Sequence, residues 1–191
     1  MKAAIVFFCL GLSAFALQKE GWGQQPGQNR VVSACGPVDV NYKVSLDRSQ
    51  HGPTAPEARK ALVYFLHDDG SGVGGTTLGS PTTKYSVDGA WVGANHGNSW
   101  FAVAVAPGEH HVCSVLQSSL IQRLELAHFT AEAGKSYFFR ARLFVSGSAY
   151  LLDFEPADSD EASYLISLYP MARPPRKSRR RSIPAPSSSK K

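Results

Sequence analysis

The sequence predicts a mainly β protein: an antiparallel β-sandwich of about seven to nine strands with one short helix near its C-terminal end. Three observations lead to this fold class. Apolar and polar residues alternate in several short runs, turn residues separate these runs at regular intervals, and no helical pattern lies between them. Parallel strands need long crossover connections that usually contain a helix, so strands joined by short turns favour antiparallel pairing.

The predicted strands differ in how deeply they are buried. Residues 38–46 alternate between apolar and polar side chains, which indicates a strand with one wet face. Residues 61–67 form a continuous apolar run, which indicates a more buried strand. Asp88-Gly89 is a strong signal for a two-residue hairpin turn. The remaining predicted strands cover residues 83–87, 90–93, 100–105, 110–115, 126–132, 136–145 and 149–155.

One helix is predicted after these strands. Asp158 can serve as its N-cap, with Glu161 three residues later as the reciprocal partner, and Pro170 ends it. The apolar face of this helix would consist of Ala162, Leu165 and Ile166. Capping explains the local carboxylates better than a catalytic pair or a calcium site, because their spacing does not match a calcium-binding loop. These carboxylates are Asp153, Glu155, Asp158, Asp160 and Glu161.

The charge distribution divides the chain into a mildly acidic body and a basic end. The 191 residues carry a net charge of +5. The last twenty residues contain eight basic residues and no acidic one, which leaves a net charge of −3 for the preceding part. The basic balance therefore belongs to a tail and gives no indication of specific nucleic-acid recognition.

The N-terminal residues are typical of a secretory signal peptide. Lys2 precedes a short apolar run over residues 3–17, and small residues follow at two points suited to cleavage. An uncleaved anchor is the alternative interpretation. We therefore divide the chain into a signal peptide (1–23), a flexible leader (24–34), a β-sandwich domain (35–171) and a disordered basic tail (172–191). We expect export to the periplasm, the cell envelope or the extracellular space.

Three cysteines are present, and Cys9 lies inside the predicted signal peptide. Cys35 and Cys113 remain as an even pair in an oxidising compartment, so the sequence predicts a disulfide between them. Residues 32–35 also resemble a lipoprotein cleavage site. That site lies far beyond the apolar run, so we favour the disulfide over lipid attachment.

Four segments resemble an uncharacterised family of exported bacterial proteins, a domain of unknown function. The segments are VDGAWVGANHGNSW, APGEHHVCS, AHFTAEAGKSYFFRARL and EPADSDEASYLI. The order of the VDG, PGEH and AEAGKSYFF motifs is also similar to that of sandwich domains of the PEGA and carboxypeptidase-regulatory types. This resemblance implies a non-catalytic β module attached to a cell envelope, and it implies no catalytic residue.

Motifs for cofactor binding and catalysis are weak in this sequence. Residues 70–75 match G-x-G-x-x-G, but the residues that follow would not start the helix that a dinucleotide site requires, so we expect no cofactor. His110 and His111 are adjacent in a predicted strand and should point to opposite faces. His96, His110 and His128 are weak candidates for a metal site. Trp91 and Trp100 are weak candidates for a sugar-binding platform, with core packing as the more ordinary role.

The sequence thus favours a non-enzymatic, exported module for binding or assembly, whose partner would be an unknown protein or envelope component. The basic tail adds an expected interaction with an anionic surface. Its clustered arginines are Arg176, Arg179, Arg180 and Arg181. The alternatives are a small metal-dependent hydrolase that uses the three histidines and a carbohydrate-binding module.

Overall fold

The computed structural model describes residues 34–37, 40–49, 52–70, 80–117, 124–146 and 149–173. The predicted signal peptide, the leader up to residue 33, the glycine motif from residue 71 onward and the basic tail from residue 174 lie outside the described residues. The described elements are β1 (Ser45–Asp47), β2 (Ala61–Asp69), β3 (Thr82–Val87), β4 (Ala90–His96), β5 (Ser99–Val105), β6 (Gly108–Leu116), β7 (Leu124–Ala131), β8 (Ser136–Ser146), β9 (Ala149–Pro156), α1 (Ser159–Leu168) and β10 (Met171–Arg173).

The predicted fold class is confirmed, because the described strands form two sheets that enclose a common core. The larger sheet, sheet A, has the strand order β1-β10-β5-β2-β8-β9, and the smaller one, sheet B, has the order β4-β3-β6-β7. β2 lies inside sheet A between β5 and β8. Its position explains why its sequence is apolar on both faces.

The core between the sheets is built largely from aromatic rings. Phe65 on β2 lies 4.9 Å from Tyr85 on β3 and 5.3 Å from Phe101 on β5, measured between ring centroids. Phe139 and Phe154 continue the stack at 6.3 and 6.5 Å from Phe65. Each ring is at least nine-tenths buried, and burying such a side chain contributes on the order of 2–3 kcal/mol.

The helix α1 covers the outer face of sheet A. Its buried residues are the predicted Ala162, Leu165 and Ile166, and they pack with Tyr64, Leu66 and Trp100 from β2 and β5. The Asp158 carboxylate accepts hydrogen bonds from the backbone N–H groups of Asp160 and Glu161, as predicted for an N-cap. None of the described helical segments is long and apolar enough to cross a bilayer.

The prediction of a strand over residues 38–46 is wrong for most of its length. Of the described residues 40–47, only Ser45–Asp47 joins a sheet, where it pairs with β10. The preceding described residues cross the outer face of sheet B outside any strand, with a helical turn at residues 34–35, and we call residues 34–37 and 40–44 the strap. Alternation indicates a backbone with one covered face and one exposed face. A segment that lies over a sheet has these two faces without pairing as a strand, so the pattern does not distinguish the two cases.

Three further features differ from the predicted topology. β5 pairs within sheet A and β6 within sheet B, so the turn at Pro107-Gly108 carries the chain between the sheets and does not close a hairpin. β2 with β8 and β10 with β5 are parallel pairs, which the predicted antiparallel arrangement did not contain. β10 extends the folded domain to Arg173, beyond the predicted boundary at residue 171. These pairings join segments far apart in sequence, so no local pattern encodes them.

Candidate functional site

The hairpin turn between β3 and β4 positions a carboxylate–imidazole pair at one end of the sandwich. Asp88 and Gly89 both have positive φ angles, 49° and 76°, as the predicted two-residue turn requires. The Asp88 carboxylate accepts a hydrogen bond from the backbone N–H of His111 at 2.9 Å and contacts Nδ1 of His110 at 2.6 Å. Nε2 of His110 lies 2.7 Å from the carbonyl oxygen of Ala106. Both ring nitrogens of His110 are therefore engaged, and we call this arrangement the Asp88–His110 clamp.

The clamp favours the charged forms of both partners. Partial burial lowers the pKa of His110, but its hydrogen bonds to Asp88 and to the Ala106 carbonyl, with the Asp88 charge, outweigh burial and raise that pKa above 6.5. Burial likewise raises the pKa of Asp88, and the hydrogen bonds from His111 and His110 reverse this effect and hold the pKa below 3.8. The pair can act as an ion pair that ties the β3–β4 turn to the connection between β5 and β6.

A second buried histidine, His67, lies at the opposite end of the sandwich. Its Nε2 atom is 3.4 Å from the Thr83 hydroxyl and 3.5 Å from a carboxylate oxygen of Asp69. Its Nδ1 atom forms no hydrogen bond within the described part of the chain, although the Gly97 backbone lies close by. Burial lowers the pKa of His67 well below its ordinary value, and the charge of Asp69 opposes this only in part. His67 is thus held in its neutral form.

The neighbours of His67 extend this polar interior between the sheets. The amide nitrogen of Asn95 donates to the carbonyl oxygen of Phe65 at 3.0 Å. The Tyr85 ring is fully buried, and burial raises the pKa of its hydroxyl. Sequence analysis missed this cluster because His67 and Asn95 lie on different strands, and only the packing of the two sheets brings them together. The available signal was His67 itself, a polar residue at the end of the continuous apolar run of residues 61–67.

The three histidines considered as metal ligands do not come together. His96 pairs with Thr82 at the far end of β3, whereas His110 contacts Asp88 just beyond the other end of that strand. The length of β3 therefore separates His96 from His110 by about 17 Å, at about 3.3 Å per residue. His128 faces outward from β7, on the side opposite to the inward-facing His110. Within the described ranges, no group of three or more histidine, cysteine or acidic side chains is arranged to hold a metal ion.

The predicted opposite orientation of His110 and His111 is confirmed. His110 is 9 % exposed and faces the interior, while His111 is exposed on the outer face of sheet B. There His111 lies directly opposite His128 on β7, with the ring centroids 6.5 Å apart. This exposed pair was not predicted, because it depends on the register between β6 and β7.

The two candidate tryptophans do not form a shared exposed platform. Trp100 is 3 % exposed beneath α1, and its indole N–H donates to the carbonyl oxygen of Tyr169 at 3.0 Å. Trp91 lies under the strap, where its indole N–H donates to the carbonyl oxygen of Pro37 at 2.5 Å. The ammonium group of Lys84 lies 4.5 Å from the centre of the Trp91 ring. Core and strap packing therefore account for both side chains.

The strap is fixed to sheet B by a covalent bond and by several hydrogen bonds. Cys35 and Cys113 lie at disulfide-bonding distance, with their Cα atoms 5.7 Å apart. Lys84 donates to the carbonyl oxygen of Val40 at 2.8 Å. The backbone of Tyr42 exchanges two hydrogen bonds with the side-chain amide of Gln117. These contacts explain why Cys113 is fully buried although it faces away from the core between the sheets.

The beginning of the strap passes unusually close to the β3–β4 turn. Gly36 has a φ of 90°, and a Cβ atom at this position would overlap the carbonyl oxygen of Gly89. Glycine is required here for both its backbone angle and its lack of a side chain. The turn that carries the Asp88–His110 clamp is thus also covered by the strap.

The carboxylates near the C-terminal end have structural partners. Glu155 and Glu161 both pair with the Arg140 guanidinium on β8, which lies between the sheet and α1. The prediction that Glu161 reciprocates the N-cap is wrong, because Arg140 takes its carboxylate instead.

Asp47 on β1 accepts two hydrogen bonds from Ser49 and lies 2.9 Å from Arg173, and these contacts lower the pKa of Asp47 to about 2.

No protein-family model, curated protein or solved structure matches this chain.

Proposed function

We propose that this protein is an exported, non-enzymatic β-sandwich module that is tethered to an anionic envelope surface through its basic C-terminal segment. The observation that carries the proposal is the segregation of charge along the chain. Residues 174–191 contain seven of the twenty lysine and arginine residues and no acidic residue. Each basic residue near an anionic membrane contributes about 1 kcal/mol of attraction.

The junction between the domain and this segment supports the tether. Arg173, the last described residue, belongs to β10 and pairs with Asp47 on β1 through Nε and Nη2, at 3.2 and 2.9 Å. Ala172 beside it is 1 % exposed. The basic segment therefore starts from a fixed point at the edge of sheet A, where β1 and β10 pair.

The surroundings of the buried histidines and of Trp100 support a binding module over an enzyme. His110 has both ring nitrogens engaged, His67 is buried and neutral, and Trp100 lies beneath α1. Each of these side chains is enclosed within the fold. The Cys35–Cys113 pair supports export, because disulfides persist in oxidising compartments and are rare in the cytosol.

Sedimentation with lipid vesicles tests the tether. The full chain should bind vesicles that contain phosphatidylglycerol and not vesicles of phosphatidylcholine alone, and added salt should release it. Replacing Arg179, Arg180 and Arg181 by Gln removes three charges. This triple variant should bind about 100-fold more weakly, because three contributions of about 1 kcal/mol are lost.

A matched control removes the same charge from the domain. Lys43, Arg48 and Arg59 are exposed, and their replacement by Gln changes the net charge equally. This control should retain most of the vesicle binding. Equal loss of vesicle binding in both triple variants would show that net charge, and not the basic segment, controls binding. Unchanged binding in the tail variant would refute the proposed tether.

A further inference from the structure

The outer face of sheet B is covered by the strap on one side and open on the other. Cys113 on β6 lies under the strap and is fully buried. His111, two residues earlier on the same face of β6, is exposed, and so is its partner His128 on β7. The open part of this face therefore presents two imidazole rings side by side on neighbouring strands.

We propose that His111 and His128 form a binding site for a divalent transition-metal ion, with a preference for Cu²⁺. Metal–nitrogen bonds to imidazole are about 2.0–2.1 Å long. The centre of each ring would lie about 3 Å from the ion, so two rings in adjacent positions of the tetragonal geometry typical of Cu²⁺ would have centroids about 4–4.5 Å apart. The observed separation is 6.5 Å, and rotation of two exposed side chains can close the difference. Imidazole suits Cu²⁺, Ni²⁺ and Zn²⁺, and Cu²⁺ binds most tightly in this series.

Negative charge close to the pair favours a cation. The Asp88 carboxylate accepts a hydrogen bond from the backbone N–H of His111, and its charge offsets that of protonated His110 beside the pair. Glu109 lies two residues before His111, on the same face of β6, and is exposed. Its carboxylate adds negative charge to this face, and water would complete the coordination of an ion held by the two rings. His110 is not available as a ligand, because both of its ring nitrogens are engaged.

The backbone beneath the pair is fixed before any ion binds. β6 and β7 are paired continuously from Gly108 with Ala131 to Val115 with Leu124, so the register that places the two histidines opposite each other is held on both sides. Cys113, two residues from His111, is bonded to the strap. Only side-chain freedom is lost on binding, which keeps the entropic cost of forming the site small.

Copper titration of the untagged chain tests the site. The Cys9→Ser background removes the thiol outside the disulfide pair. Calorimetry and electron paramagnetic resonance should show one Cu²⁺ ion with two nitrogen ligands in this background. His111→Ala and His128→Ala should each weaken binding by about 100-fold, because the second ring no longer acts at high effective concentration. Each variant should also lose the two-nitrogen spectrum.

His96→Ala is the matched control, because His96 is exposed but lies on β4 at the other end of the sandwich. This control should leave the affinity and the spectrum unchanged. Unchanged copper affinity in the His111→Ala, His128→Ala double variant would overturn the proposal, as would an equal loss in the control. The site is independent of the tether, because it uses no residue of the basic segment.

A measurement on the unsubstituted protein avoids dependence on folded variants. Substoichiometric Cu²⁺ should selectively broaden the proton resonances of the His111 and His128 rings, because both would lie next to the paramagnetic ion. Broadening that spreads equally over all six histidines would contradict the proposed site.

Discussion

The two ends of the sandwich each bury a histidine, but they control its charge in opposite ways. At the end with the β3–β4 turn, the Asp88 carboxylate and the Ala106 carbonyl surround His110 and favour its protonated form. At the other end, burial dominates over the charge of Asp69 and keeps His67 neutral. The comparison shows that burial alone does not decide the charge of a histidine. What decides it is whether a hydrogen-bonded acceptor lies close enough to offset the loss of water.

The two ends also differ in how they are held. The end with the clamp is covered by the strap and lies close to the Cys35–Cys113 disulfide, whereas the end with His67 has a buried nitrogen without a hydrogen-bond partner in the described residues. An unsatisfied buried polar group costs about 1–3 kcal/mol. The following predictions test how the strap and the two buried histidines contribute to the free energy of unfolding.

Removal of the disulfide should have the largest effect. The bond closes a loop with a sequence separation of 78, for which the chain-entropy model gives about 4 kcal/mol of stabilisation. The Cys35→Ala, Cys113→Ala double variant should lose about this much unfolding free energy in a denaturant titration. Cys9→Ser, which lies in the predicted signal peptide, should change the unfolding free energy little. A loss of less than about 1 kcal/mol in the double variant would mean that hydrogen bonds alone hold the strap.

Acid should destabilise the protein through His67. The folded state lowers the pKa of His67, so between that value and the ordinary value of 6.5 the unfolded state binds more protons. Stability contributed by neutral His67 is present above pH 6.5 and is lost as the pH falls, with a slope of up to about 1.4 kcal/mol per pH unit.

The His67→Gln variant isolates this contribution. It should flatten the decrease in unfolding free energy below pH 6.5, as measured by denaturation at a series of pH values. His128→Asn is the control, because His128 is exposed on β7, away from His67, and its replacement should leave the slope nearly unchanged. A wild-type slope that persists in His67→Gln would assign the acid sensitivity to another group.

His110 should show the opposite pH dependence and a smaller effect. Its folded-state pKa is raised, so its stabilisation is fully present below pH 6.5 and is lost as the pH rises through the folded-state value. The folded-state pKa of Asp88 is lowered, so its part is present above pH 3.8 and is lost as the pH falls through its own folded-state value. The clamp is therefore strongest between these limits.

Replacement of His110 by Gln should cost about 1–2 kcal/mol of unfolding free energy near pH 5, because a charged hydrogen-bonded pair is lost. The difference from the unsubstituted protein should shrink at alkaline pH. His111→Gln keeps the neighbouring backbone contact to Asp88 and is the matched control. A cost that is the same at pH 5 and pH 9 would mean that His110 stabilises the fold through packing and not through its charge.

Local patterns predicted the elements of this fold more completely than their partners. The Asp88-Gly89 turn, the buried β2 strand and the helix face of Ala162, Leu165 and Ile166 all follow from short-range sequence signals, and the structure contains each of them. Alternation assigns a side chain to one of two faces, but it does not say which strand lies beside it. For that reason the opposite orientation of His110 and His111 was predictable, and the pairing of His111 with His128 was not.

The same limit explains the strap and the clamp. Lys84 and the Val40 carbonyl are 44 residues apart in sequence, and His110 and Asp88 are 22 apart. Such contacts depend on the packing of whole sheets, which no short pattern encodes. The role of Trp100 was open for a related reason: sequence composition favoured core packing over a binding platform, and the position of α1 over the ring decides between them.

Substitution of the helix N-cap should have the smallest effect. Asp158 accepts from two backbone N–H groups, and loss of such a cap costs about 1 kcal/mol. Asp158→Ala should lower the unfolding free energy by this amount at neutral pH, whereas Asp160→Ala, which removes an exposed first-turn charge, should cost only a few tenths of a kcal/mol. Equal losses in the two variants would show that the helix dipole, and not the cap, holds the start of α1. A larger loss in Asp158→Ala would show that the apolar contacts of Leu165 and Ile166 with sheet A depend on how the helix begins.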